Sequence, residues 1–447
     1  MKRRNFLTQI GATGLGLSLF NQANAGTKHV NAHGSFNKAL NPVPGMFAAK
    51  GKILVAGGGM AGTTVAKYLR FWGGTGLTVG LVEPNATYYS NIMSNMVLTG
   101  ERTLNQLAYN YNNIVTNFGV KLLNNTIASI DRTGKKVTLL NGNTIAYDRL
   151  ILALGIDFEP LPFTDPNDPK VSRIVHAWKA GPQTTSLKNQ VQAMTKNDTF
   201  ILTIPPAPYR CPPGPYERAC VVADYLKRIK GGGKVIVLDA NMGPIAEPTN
   251  FNYAFNTTHK DVITYLPGTQ LISIDAATMT VNTSQGSFKG KVINAIPPHK
   301  APPLIFNSGL NNSPDSKWAA VNELTYETKA FPGSGIHIIG DSCYTAKQPK
   351  AGHIANAEAK VCADAIIQEL NGGTINPLPV TNSSCFTPIT NTSASWLSAV
   401  YKYDGSIMAP VGGGPTESNG ANSHNYEDML MWFNNLMADT GYTPTVK

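Results

Sequence analysis

The sequence predicts an α/β protein with two Rossmann-like domains, the first of them discontinuous, and a smaller α+β domain at the C-terminal end. Three observations carry this. An apolar strand at 53–56 turns through a glycine-rich loop into a helix, a strand ending in glycine stands at 147–155, and a separate β-α-β frame runs from 199 to 239. The 447 residues suit two to three cores. The expected boundaries are 51–165 with 291–375 for the split domain, 166–290 for the second, and 376–447 for the last.

Before the first strand, residues 1–25 read MKRRNFLTQIGATGLGLSLFNQANA. Arg3-Arg4, a mildly apolar run and Ala23-Asn24-Ala25 make a twin-arginine export signal with an A-x-A cleavage site, which predicts a periplasmic protein exported in the folded state. The apolar stretch from 10 to 20 is far below the ~20 residues that span a bilayer, and no other window is long enough. No transmembrane segment is therefore expected. Residues 26–50 lack periodicity and read as a polar arm.

In the first domain, Gly57-x-Gly59-x-x-Gly62 follows the strand and opens a helix, with Met60 and Ala61 inside the turn. Glycines here let the backbone approach a pyrophosphate, whose charge the helix N-terminus stabilises. The next strand, Leu77–Val82, ends in Glu83, where a carboxylate takes ribose hydroxyls and disfavours a 2′-phosphate. Gly155 closes the segment YDRLILALG, and GIHIIGD supplies Gly340 and Asp341. That pair has the form of the two later flavin segments, with the acid placed for a ribityl chain, so FAD is expected.

The second domain keeps its frame without a glycine cradle. The strand Thr199–Ile204 runs into PPAPYRCPPGPYERA (205–219), so a nicotinamide electron source is not expected. Cys211 stands just before Pro212-Pro213 and a helix whose body begins near Tyr216, an arrangement that predicts a lowered thiol pKa through the helix dipole and Arg210. Cys343 follows Asp341 by two residues, and both thiols fall in loops after strands, where α/β ligands bind. Glu217 is the candidate general acid/base. Cys220 and Cys362 read as buried small hydrophobes, Cys385 lies in a loop with no assigned role, and His176 and His353 read as structural.

Composition excludes other classes. Charged residues are 14% against a typical ~25%, with 42 glycines and 30 prolines, which favours strands and shaped loops. The net charge is +10, falling to +7 once the signal's Lys2, Arg3 and Arg4 leave; the remaining cations are scattered, so no nucleic-acid partner is expected. Five widely spaced cysteines do not make a stapled scaffold, and no C-x-x-C-H is present for covalent haem.

The blocks HAWKAG (176–181), CPPGPYERA (211–219) and GDSC (340–343), with Ile296-Pro297-Pro298 and WFNN (432–435), resemble the flavoprotein subunit of flavocytochrome c sulfide dehydrogenase over nearly the whole chain after the signal. That resemblance implies a glutathione reductase-like fold, FAD, a catalytic disulfide between the matching cysteines Cys211 and Cys343, and oxidation of hydrosulfide to zero-valent sulfur or polysulfide. It also implies a c-type cytochrome as electron acceptor, with haem only on that partner. One departure stands out: where the family tethers FAD through a cysteine, this chain has Asn91, so FAD is expected to be non-covalent, with Asn91 beside it. Two other readings stay open, a membrane-docked sulfide:quinone oxidoreductase and a non-catalytic redox or assembly subunit. The aromatic C-terminal region either forms a docking face, covers the flavin or packs as core.

Overall fold

A computed structural model describes residues 49–446, which form one compact unit. The export signal and most of the polar arm lie outside the described residues.

Two parallel sheets carry the architecture. The first orders its strands Ile336–Ile338, Arg149–Leu152, Gly51–Ala56, Leu77–Val82 and Lys121–Leu123. Every neighbouring pair is parallel. Ile53 to Ala56 are all buried, as a parallel strand covered on both faces requires. The helix Met60–Gly73 lies against this sheet and Gly352–Asn371 lies against that helix.

The second sheet orders Ile263–Leu266, Lys234–Asp239, Thr199–Ile204 and Val292–Ala295, again all parallel. Ile201, Leu238, Ile274 and Ile293 pack in its core, each side chain contributing about 1.5–3 kcal/mol by leaving water. The α/β reading with two Rossmann-like sheets is therefore what the chain adopts. The helix after Cys211 starts earlier than expected, at Gly214, and its regular part ends at Tyr225, followed by a π-helical turn Leu226–Lys230. Two prolines at its mouth fit that start, since first-turn N–H groups have no acceptor within the helix and proline, having none, loses nothing there.

In each sheet the strand earliest in sequence lies inside the sheet, flanked on either side by strands that come later in the chain. These are Gly51–Ala56 in the first and Thr199–Ile204 in the second. At such a switch point the connections part and leave a crevice at the carboxyl ends. The C-terminal stretch then adds an antiparallel hairpin, Val380–Pro388 with Ala394–Tyr403, and the helix Ser423–Thr440.

Candidate active site

A cavity of about 520 Å3 lies where the two switch points meet. It is lined by Gly57, Gly59, Met60, Ala61 and Glu83 of the first strand-turn-helix unit and the strand after it, by Asn91, Gly155, Gly340 and Asp341, and by Cys211 with Glu217. The structure thus gathers nearly all the residues expected from sequence. Two do not line the cavity, Gly62 and Cys343.

Gly62 works by packing: a Cβ there would sit 1.8 Å from the Gly57 carbonyl oxygen, so only glycine lets helix and strand meet. Gly57, at φ +97°, has the Ala153 carbonyl 2.4 Å from where a Cβ would be. At Gly59 nothing lies within 4 Å of that position, which leaves bare backbone at the N-terminus of the helix. Glu83 accepts the Gly58 N–H at 2.7 Å and the Asn85 N–H at 2.8 Å, fixing the loop to the end of the second strand. Asp341 has its Oδ1 buried without a hydrogen-bond partner, and burial pushes its carboxyl above the usual range. An orphaned buried acceptor next to an open glycine turn is what a polyol-linked dinucleotide would satisfy, so these residues fit FAD. Asn91 Oδ1 accepts the Ala180 N–H at 2.8 Å, tying the HAWKAG loop to the cavity wall.

At the thiol end, Cys211 holds a left-handed backbone, φ +60°, rare for a residue with a Cβ. Its N–H donates to the Lys350 carbonyl at 2.7 Å and its carbonyl accepts the Gly214 N–H at 2.9 Å, which pin that conformation. The Lys350 ammonium donates in turn to the carbonyls of Asp341 (3.0 Å) and Cys343 (2.6 Å), so one residue joins the Cys211 loop to the flavin-side loop. The Cys211 thiol is not acidic. Burial and then Glu217 push its pKa up to about 12, against smaller opposing effects from Arg210 and the Gly214 N–H. The expected lowering fails because a helix N-terminus supplies only about 0.3–1 kcal/mol, less than desolvation beside a carboxylate costs.

Glu217 is buried and its pKa is raised to about 8, mainly by desolvation; the Asn95 hydrogen bond and Arg218 pull it down and Glu247 pushes it up. Asn95 is a site residue that the sequence reading misses. Its amide donates to Glu217 (2.9 Å) and to the Gly214 carbonyl (3.1 Å), while its oxygen accepts from Arg218 Nε (2.8 Å). The buried Arg218 guanidinium also reaches the carbonyls of His176 and Ala177 and stacks 4.6 Å over Trp178.

The structure does not bring Cys343, the partner expected for Cys211, into the cavity lining. Cys343 is buried, with its sulfur 3.8 Å from Glu358 Oε2. The thiol that shares the cavity with Cys211 is Cys385, and Cys211 is the largest influence on it after burial. Cys385 arrives on the hairpin, paired opposite Leu397. His353, expected to be structural, lines the cavity too: its Nδ1 accepts the Ser384 N–H at 3.0 Å and the Trp432 indole N–H at 3.4 Å. All five cysteines are free thiols in the structure.

In the second domain, Asp239 closes the strand where a nucleotide's ribose would be met. Its Oδ2 accepts the hydroxyls of Tyr216 (2.9 Å) and Tyr265 (2.7 Å), and its Oδ1 the Asn241 N–H (2.9 Å). The domain's own side chains therefore occupy that acid. Among the described residues no cluster could hold a metal ion, and no helix is long and apolar enough to cross a membrane.

Fold and site together define a two-dinucleotide-domain flavoprotein, an oxidoreductase that takes FAD. Residues 51–188 match the family model of pyridine nucleotide-disulphide oxidoreductase. Residues 184–297 match that of the sulfide dehydrogenase (flavocytochrome c) flavoprotein chain, central. Among curated proteins it is similar to a probable ferredoxin reductase, CtmF, of Castellaniella defragrans, at 31% identity over 24% of this chain and 27% of that protein. Among solved structures, the sulfide:quinone oxidoreductase of Aquifex aeolicus superposes with a TM-score of 0.72 at 16% identity, covering 88% of this chain and 92% of that one. The NAD-dependent persulfide reductase of A. fulgidus superposes at 0.58 and 16% identity, over 78% and 64%. At these identities the structural likenesses speak to the fold.

Proposed function

We propose that the chain oxidises hydrosulfide to polysulfide through a Cys211–Cys385 disulfide and FAD, and that a c-type cytochrome, carrying the haem, accepts the electrons. The observation that carries this reading is the shared cavity, which is lined by two thiols, a buried carboxyl of raised pKa, the glycine cradle and Asp341 with its orphaned oxygen.

In the proposed reaction hydrosulfide attacks the disulfide, breaking the Cys211–Cys385 bond and forming a persulfide on one cysteine and a thiolate on the other. A second hydrosulfide takes the outer sulfur away as disulfide anion, releasing a proton and a second thiolate. Re-forming the Cys211–Cys385 bond then releases two electrons. FAD supplies the two-electron acceptor that can pass them on singly. Glu217 is the group placed to hold and release the proton. The non-covalent state of the flavin is part of this proposal, as is a periplasmic location.

Anaerobic titration with sulfide tests it. Flavin bleaching followed by reoxidation with cytochrome c is the expected result, and protein that binds FAD without bleaching would leave a non-catalytic subunit. The likeness to a sulfide:quinone oxidoreductase supports a second reading, in which a quinone replaces the cytochrome. Against it, the exposed Met431 on the C-terminal helix is followed by no basic face, while Glu427, Asp428 and Asp439 sit on that helix. Reoxidation by a quinone and not by cytochrome c would select it.

A further inference from the structure

Gly58, the middle residue of the glycine turn, is held from both sides of its backbone. Its N–H donates to Glu83, and its carbonyl accepts the hydroxyl of Tyr442 at 2.6 Å, a buried contact between residues at opposite ends of the described chain. Tyr442 also stacks on Tyr88 with centroids 4.6 Å apart and planes 3° from parallel, and Tyr88 lines the cavity. Tyr111 fills the remaining side of the loop, with its hydroxyl 2.7 Å from where a Cβ on Gly58 would be. The tail that carries Tyr442 is fastened on either side. Asp439 accepts from Tyr68 (2.6 Å) and Asn356 (2.8 Å) and pairs with Lys360 at 2.7 Å. After the left-handed Gly441, Thr443–Pro444 pairs with Ala108–Asn110, which in turn pairs with Tyr88–Tyr89.

We propose that Tyr442 is a positioning residue for cofactor binding: by holding the Gly58 carbonyl and the Tyr88 ring it fixes the pyrophosphate-binding turn, and so sets how tightly FAD is retained in a chain with no cysteine at position 91. Tyr442 acts through the loop and does not line the cavity itself. The turn's free N–H groups are useful to an anion only when they converge, and Gly58 has no side chain of its own to anchor it. Its two hydrogen bonds supply that anchoring. The effect belongs to the adenine-diphosphate half of the ligand, because the loop and Glu83 are at that end.

The inference rests on FAD being held without a covalent bond. Acid precipitation of the wild-type protein reads that premise separately: flavin released to the supernatant supports it, and flavin left in the washed pellet would overturn it and the inference with it. The test itself uses deflavinated full-length protein titrated with FAD and, in parallel, with ADP as a probe of the pyrophosphate half. Tyr442→Phe keeps the ring stack and removes one hydrogen bond, and is expected to weaken FAD and ADP by the same factor, about fivefold. Tyr442→Ala is expected to weaken both further. Unchanged affinities in Tyr442→Phe would overturn the inference. So would weakened FAD with unchanged ADP, or a lowered melting temperature of the apoprotein with ADP affinity intact, the pattern of a merely structural residue.

Discussion

The Asn95 side chain donates to the Glu217 carboxylate at 2.9 Å, from a short helix that belongs to the first domain, onto a group that belongs to the second. The hydrogen bond favours the charged form of a carboxyl that burial favours neutral. Removing it in Asn95→Ala moves the Glu217 pKa upward from about 8. Sulfide-dependent flavin reduction, followed by stopped flow against pH, is expected to show a limb near that value in the wild type, a limb displaced to higher pH in Asn95→Ala, and none in Glu217→Gln. A limb that stays in place in Asn95→Ala would assign it to another group.

The thiol variants separate the two pairings cleanly. Cys211→Ser and Cys385→Ser are expected to bind FAD and lose flavin reduction by sulfide. Cys343→Ser, whose sulfur lies against Glu358 away from the cavity, is expected to keep it within a few-fold. Loss in Cys343→Ser with retention in Cys385→Ser would restore the pairing read from sequence.

Gly214 is close to Cys211 for a reason. A Cβ at 214 would sit 2.9 Å from the Cys211 sulfur and 3.0 Å from the Trp178 ring. Gly214→Ala is therefore expected to cost about 1–3 kcal/mol of stability and to change the rate at which Cys211 reacts with a thiol reagent. Thermal unfolding and timed alkylation with mass spectrometry check the two effects.

Asp341 has an unpaired buried oxygen that binding would satisfy. Replacing it by Asn is expected to raise the melting temperature of the apoprotein, because a buried carboxylate is relieved. The same change is expected to lower FAD affinity by roughly ten- to a hundredfold, the worth of about 1.5–3 kcal/mol for a charged hydrogen bond.

Stability should also fall as pH rises. Glu217 and Glu358 titrate at about 8 in the folded protein and Glu247 at about 7, all raised from 4.5, first by desolvation. A carboxyl whose pKa is higher folded than unfolded contributes stability that is complete below about 4.5 and is lost as the pH climbs through the folded value, at about 1.4 kcal/mol for each pH step of one between the two. The melting temperature is expected to decline from pH 5 to pH 9, and less steeply in Glu358→Gln, whose amide oxygen can still accept the Gly340 N–H now bonded at 2.7 Å. An equal slope in that variant would remove Glu358 from the account.

What is legible in the sequence follows from locality. Gly57, Gly59, Glu83 and Asp341 act at the ends of their own strands, so a run of a dozen residues contains both the frame and the chemistry. The same reasoning misplaces Cys343, since two residues beyond Asp341 the chain has turned its side chain toward Glu358. Cys385 and Asn95 enter the site by tertiary packing, one on a hairpin and one on a five-residue helix, and no local spacing points to either. The acidity expected for Cys211 fails for a different reason: the helix end is located nearly correctly, but burial, and then the carboxyl that the helix also brings close, outweigh it.

The clasp at Gly58 and the thiol at 385 both come from the last part of the chain. A ribosome that has finished the glycine turn still has about 380 residues to add before Tyr442 emerges, on the order of 20–80 s at bacterial rates. Through that interval the nascent chain has the glycine turn without the Tyr442 hydroxyl and Cys211 without Cys385 in the same cavity. The contacts that Tyr442 and Cys385 make with the first half of the fold therefore form only after about 320 to 380 further residues have been added beyond the glycine turn.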